Sequence, residues 1–269
     1  MAGRKVGEIA KLTVPVERDY LLLDRSGSMA VQWREALGAI NAYAGTLGSK
    51  INTRIWMAVF DNAFDVLRND IAPAAWRPIT DEEVQPRGST ALDDSIAAMV
   101  AQAKHDDPAK AALVIASDSG ENASTKVTTE QAKELLDECR ARGWEVIFFG
   151  MGFNNSSMAA VYGADPSQTV AVDKENLATM LRQMAEKRVA YSRSGTKIQF
   201  SDSEKKVAGG QTTTNKTEQI RITPCPRNNL SISKQYTTCN VLCPRCWQTT
   251  FSTLSTTFRK RTSTSWTTT

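Results

Sequence analysis

Four short apolar runs constrain this chain more than anything else in it: residues 20–23 (YLLL), 113–116 (LVIA), 146–149 (VIFF) and 169–172 (TVAV). Continuous runs of this kind belong to strands buried on both faces, and such strands are found in mainly parallel sheets sandwiched between helices. The intervening segments supply those helices. Apolar residues recur at helical spacing in Trp33, Leu37, Ile40, Ala44 and Leu47; in Leu92, Ile96, Met99, Val100 and Ala103; in Ala132, Leu135, Leu136 and Cys139; and in Leu177, Met180, Leu181 and Met184. Thr128 and Gln131 form a capping box before the third of these, and Gly143 marks its end. The segment TRIWMAVFDNAFDVLRND reads differently, as two strands joined by a turn at Asp61, Asn62 and Ala63. The order strand, helix, hairpin, helix, strand, helix, strand, short helix, strand, helix predicts an α/β fold. Its mainly parallel sheet is doubly wound, with one antiparallel edge hairpin, over residues 12–192.

Residues 193–210 read as a linker, and residues 211–269 as a low-complexity or disordered tail. The tail holds seventeen threonines, one glutamate and no aspartate, with no sustained apolar period. It is also basic: residues 201–269 carry ten Lys and Arg against three Asp and Glu, so the net charge of +4 comes from this end. No stretch approaches the roughly 18 apolar residues a membrane span needs, and the first residues lack the apolar centre of a secretion signal, so the expected compartment is the cytoplasm. The five cysteines do not form an even framework; Cys139 falls on an apolar helix face and reads as a buried, inert thiol. Cys225, Cys239, Cys243 and Cys246 give one zinc-knuckle-like pair, CPRC, but the other spacing is irregular, which disfavours Zn²⁺ there.

In an open parallel sheet, ligands bind beyond the carboxyl ends of the strands, so those ends are where chemistry is sought. Asp24, Ser26 and Ser28 follow the first run, Thr90 precedes the second helix, and Asp118 follows the run at 113–116. All carry side-chain oxygen. Residues at i, i+2 and i+4 of an extended loop face one way, so Asp24, Ser26 and Ser28 can converge, and Gly27 lets the backbone turn tightly. Two carboxylates and three hydroxyls, without thiolate or imidazole, suit a hard cation: Mg²⁺ first, with Mn²⁺ or Ca²⁺ as alternatives. Because hydroxyls are weak neutral ligands, a cation held mainly by them keeps appetite for a further acidic group.

The D-R-S-G-S stretch at 24–28, the threonine of RGSTALDDSI and the aspartate of LVIASDSGENAS resemble the metal-ion-dependent adhesion site of von Willebrand factor type A domains. The match spans about residues 15–192, in the family's order, and the chain resembles stand-alone bacterial and phage members. The resemblance implies that Ser26 and Ser28 ligate the metal directly, that Thr90 does so directly or through water, and that Asp24 and Asp118 act largely through water. It further implies that a protein partner supplies a carboxylate to complete the shell, and that the chain is an adaptor in an intracellular assembly and not an enzyme. The chain departs from the pattern at Ser119, where many members have glycine, a change that bears on the turn carrying Asp118.

Other residues read more plainly. Asp93 and Asp94 fit the electropositive start of a helix, Asp61 and Asp65 read as solvated charges guarding a sheet edge, and His105 falls in a surface loop. With that one histidine, a Ser-His-Asp hydrolase is disfavoured, and neither nucleotide-binding glycine motif occurs. Two alternatives remain from this stage: a nucleic-acid-associated protein binding through its basic tail, and a metal-dependent hydrolase using the same oxygen cluster.

Overall fold

The computed structural model describes residues 16–151 and 155–209, with side chains from 158 onward in the second segment. The tail, its cysteines and the expected start of the domain at residue 12 lie outside the described residues. Among those described, no helix is long and apolar enough to cross a membrane.

The strands are β1 (Glu17–Asp24), β2 (Thr53–Phe60), β3 (Phe64–Ile71), β4 (Lys110–Ser117), β5 (Glu145–Met151) and β6 (Thr169–Val172). They form one sheet in the order β3-β2-β1-β4-β5-β6, parallel throughout except for β3, which runs antiparallel to β2 at the edge. The helices are α1 (Trp33–Leu47), α2 (Leu92–Asp106), α3 (Thr129–Ala141), α4 (Asn155–Val161), α5 (Leu177–Ser194) and α6 (Asp202–Val207).

Strand alternation explains the layering. In β1, Leu21 and Leu23 join the core beneath α1 and α5, whereas Tyr20 and Leu22 join the core beneath α2 and α3. Both faces are therefore covered, as the uninterrupted apolar runs require. The chain leaves β1 for α1 on one face and reaches β4 through α2 on the other. The carboxyl ends of the adjacent strands β1 and β4 thus form the switch point of the sheet. The helix boundaries follow local rules: Thr128 and Gln131 make the reciprocal capping box at α3, and Gly143, at φ +77°, lets the chain turn out of that helix.

Within the segment read from sequence as a linker, α6 carries its own capping box, formed by Ser201 and Glu204. Ile198 and Phe200 are buried, Phe200 N–H donates to the Ser167 carbonyl, and Asp173 N–H donates to the Ala208 carbonyl. The chain after α5 therefore runs back along the β6 side of the sheet. Cys139 is buried, and burial pushes its thiol up to about 11, so it stays protonated and inert at neutral pH.

Candidate metal centre

Asp24 is the last residue of β1, and its carboxylate is fully buried at the switch point. Its Oδ1 accepts from the Ser26 backbone N–H at 2.7 Å; its Oδ2 accepts from Ser117 Oγ at 2.5 Å and from Ser119 Oγ at 3.4 Å. The following residues enter a 3₁₀ turn, Gly27–Val31, at whose start the Ser26 side chain makes no capping hydrogen bond to the backbone. Ser26 Oγ and Ser28 Oγ lie 3.0 Å apart, and Ser28 Oγ donates to Asp118 Oδ1 at 2.8 Å. Asp118 Oδ2 accepts from Gln32 Nε2 at 3.2 Å. Thr90, buried, enters the cluster through Ser119, with 2.8 Å between the two hydroxyl oxygens.

All five residues singled out by sequence, Asp24, Ser26, Ser28, Thr90 and Asp118, thus belong to one connected network built from three separated stretches. Sequence reasoning missed Ser117 and Gln32, and read Ser119 only as a departure bearing on the turn that carries Asp118. Ser119, the departure from the family pattern, joins Thr90 to Asp24, and the signal that could have found it is the S-D-S repeat of hydroxyls around Asp118. Gly27 proves less constrained than expected, since a Cβ there would make only an ordinary 3.5 Å contact with the Gly88 carbonyl. The glycine that the site requires is Gly88, at φ +68°, where a Cβ would come within 2.5 Å of Asn62 Oδ1.

The loops around the cluster are cross-braced. Thr90 N–H donates to Asn122 Oδ1, and the Thr90 carbonyl accepts from the N–H groups of Asn122 and Ala123. Glu121 accepts from the backbone of Asp93, Ala123 and Ser124, and Asp94 accepts from the backbone of Thr125, Lys126 and Val127. Asp93 does more than face a helix N-terminus: it is buried and accepts from Tyr162 Oη and Thr129 Oγ1, linking α2 to α3 and to the residue after α4.

Asp61 departs from the solvated role read from sequence, whereas Asp65 is exposed on the edge strand β3. Asp61 is 3% exposed and accepts from Arg25, Arg87 and the Ala63 N–H. Asp65 pairs with Arg25. A short turn of charged residues looks solvated when its arginine partners lie 36 and 26 positions away in sequence.

The donor set fits a small hard cation. Burial raises the Asp24 carboxyl above its ordinary value and the Asp118 charge adds to this, while hydrogen bonds from Ser117 and Ser26 oppose it. A cation between the two carboxylates would relieve that strain. The oxygen spacings of 3.0 and 2.8 Å are hydrogen-bond distances. They are also close to the edge of an octahedron whose vertices lie ~2.1 Å from its centre, about 3.0 Å, as Mg²⁺ prefers. Among the described residues no group of three or more His, Cys, Asp or Glu side chains converges as a metal site, so any cation here would rest on hydroxyls. His105 is exposed in the last turn of α2, whose first turn adjoins the cluster; the rise of the helix from Leu92 places it about 20 Å away along the axis.

No protein-family model and no curated protein matches the sequence. Solved structures do. The vWF domain of the type V pili tip protein Mfa5 from Porphyromonas gingivalis aligns with 68% of this chain and 98% of its own, at 12% identity and a TM-score of 0.57. The manganese-loaded TRAP protein of Plasmodium vivax aligns with 62% of this chain and 72% of its own, at 16% identity and a TM-score of 0.48. A von Willebrand factor type A structure from Catenulispora acidiphila aligns with 66% of this chain and 43% of its own, at 14% identity and a TM-score of 0.48.

Proposed function

We propose that this chain, whose fold is that of von Willebrand factor type A domains, is a cation-dependent protein-binding module. Asp24, Ser26, Ser28, Thr90 and Asp118 would hold Mg²⁺, with Mn²⁺ or Ca²⁺ as substitutes. An acidic side chain of a protein partner would be the group the bound cation attracts. The observation that carries this reading is the convergence of three hydroxyls and two carboxylates, from three separate stretches, on the switch point of the sheet. Mg²⁺ would supply an electrophilic centre with few anionic ligands. The chain's own residues do the rest: Ser117 and the Ser26 N–H orient Asp24, Gln32 and Ser28 orient Asp118, and Ser119 ties Thr90 to both strands.

Binding is favoured over catalysis because, among the described residues, no imidazole or thiolate stands at the cluster to serve as a general base, and His105 sits at the far end of α2. We take the chain to act as an adaptor in a cytoplasmic assembly. The test is retention of a partner on immobilised protein. Retention in Mg²⁺, lost both in excess chelator and in Asp24→Ala, is the expected outcome; equal retention in chelator contradicts the reading.

A further inference from the structure

Arg25 stands between two residues of the cluster, Asp24 and Ser26, yet its side chain is only 6% exposed. It turns away from the solvent under the β2–β3 turn. A guanidinium is always charged, so this fold fixes a buried positive charge one residue from the place where a cation would sit. That arrangement repels a second cation unless a carboxylate neutralises the first.

Asp61 is that carboxylate. Its Oδ2 lies 3.3 Å from Arg25 Nε and its Oδ1 lies 3.4 Å from Arg25 Nη2. The same carboxylate accepts from Arg87 Nε at 2.7 Å and from the Ala63 N–H at 2.6 Å. The Asp61 backbone carbonyl accepts from Ala91 N–H, next to Thr90. Around it, Arg87 N–H donates to the Arg25 carbonyl, Gly27 N–H donates to the Gly88 carbonyl, and Ser89 N–H donates to Asn62 Oδ1. Three loops therefore meet at one side chain: the turn bearing Ser26 and Ser28, the hairpin turn, and the loop bearing Thr90. Asp65, half exposed on the strand edge, also pairs with Arg25 and lies 3.7 Å from Arg87, but Asp61 is the buried carboxylate of the two and the one that accepts the Ala63 N–H of the hairpin turn.

We infer that Asp61 is a positioning residue for the cation site, neutralising Arg25 and tying the loop that bears Thr90 to the turn that bears Ser26. The inference rests on the reading of the cluster as a cation site. Asp61 touches none of the five proposed ligand side chains, and it acts through Arg25, Arg87 and the backbone. Partners that hydrogen-bond metal ligands directly typically change metal affinity by about 10–100-fold, and Asp61, one contact further out, belongs at the lower end of that range.

The experiment has two arms. In the first, Mn²⁺ binding is followed by electron paramagnetic resonance in wild type, Asp61→Asn, Arg25→Gln, the double variant and Asp24→Ala. Asp61→Asn should bind about tenfold more weakly, and the double variant, which removes both charges, should recover most of that loss. A purely structural salt bridge predicts wild-type affinity in folded Asp61→Asn, which would overturn the inference, as would a double variant no tighter than the single. If Asp61→Asn does not fold, the folded double variant decides: near wild-type affinity supports neutralisation, and absence of binding overturns it. The second arm, without metal, measures amide hydrogen exchange over residues 86–91. Faster exchange in Asp61→Asn is expected, and unchanged exchange overturns the tie. Wild type and Asp24→Ala both failing to bind Mn²⁺ would instead refute the cation site and with it the neutralising role, leaving the exchange result to judge the tie alone.

Discussion

At Asp24 a strand that is apolar through Leu23 ends in a buried carboxylate held by three hydrogen-bond donors. Burial raises its pKa, so keeping it ionised at neutral pH opposes folding, and a bound cation would offset that penalty. Asp24→Asn keeps the shape and removes the charge. In chelator its unfolding temperature should equal or exceed that of wild type. Mg²⁺ at a hundredfold excess over its dissociation constant should stabilise wild type by about 2.7 kcal/mol, a rise of about 5–10 °C, and leave Asp24→Asn unmoved. Differential scanning calorimetry with and without Mg²⁺ checks both statements, and an equal rise in the two proteins would contradict the assignment of Asp24. At this scale the sequence was legible wherever a residue type and a strand end coincided, as for Asp24, Ser26, Ser28 and Asp118. It was not legible where the partner was remote: nothing in D-R-S-G-S says that Arg25 turns inward to meet Asp61, and nothing near Asp93 points to Tyr162.

The elements around the site are held by polar devices as much as by apolar faces. The loop from Glu121 to Val127 closes over the start of α2 because the carboxylates of Glu121 and Asp94 accept backbone N–H groups there. For Asp94, burial opposes ionisation, but the three donated N–H groups from Thr125, Lys126 and Val127 outweigh it and hold its pKa below the ordinary value. A depressed carboxylate stabilises the fold above its unfolded pKa, about 3.9, and loses that contribution as pH falls through the lower folded value. Urea midpoints should therefore drop in acid below pH ~4, and Asp94→Asn should be less stable at neutral pH with a shallower acid drop. At the other end of the sheet, α5 is pinned to β1 by Arg188, fully buried, which donates to Asp19 at 2.5 Å and to Glu17 at 2.9 Å. Arg188→Met would leave Asp19 buried without its cation, a loss of about 3–5 kcal/mol in urea unfolding at neutral pH. Burial already lifts the Asp19 pKa against the pull of Arg188, so that loss should shrink as the pH falls and Asp19 takes up a proton. An unchanged midpoint would show that the pair contributes nothing. Helices and strands were the readable part of this chain because burial on one or two faces writes a period into the sequence; α6 was not, since six residues are too few to show one.

For the whole molecule, the winding of the sheet matters more than any single contact. The strand order brings the ends of β1 and β4 side by side, and only then do residues more than 90 positions apart, such as Asp24 and Ser119, share a hydrogen bond. The doubly wound architecture and its antiparallel edge could be inferred from the alternation of apolar runs and amphipathic segments. The position of Ser119, a link in the network and not a disruption of it, required the fold itself. The central claim is that these oxygens hold a divalent cation, and anomalous X-ray diffraction from crystals grown with Mn²⁺ tests it most directly. A single strong anomalous peak within bonding distance of Ser26 Oγ and Ser28 Oγ is the predicted result; a map with no peak at that position under saturating Mn²⁺ would contradict it.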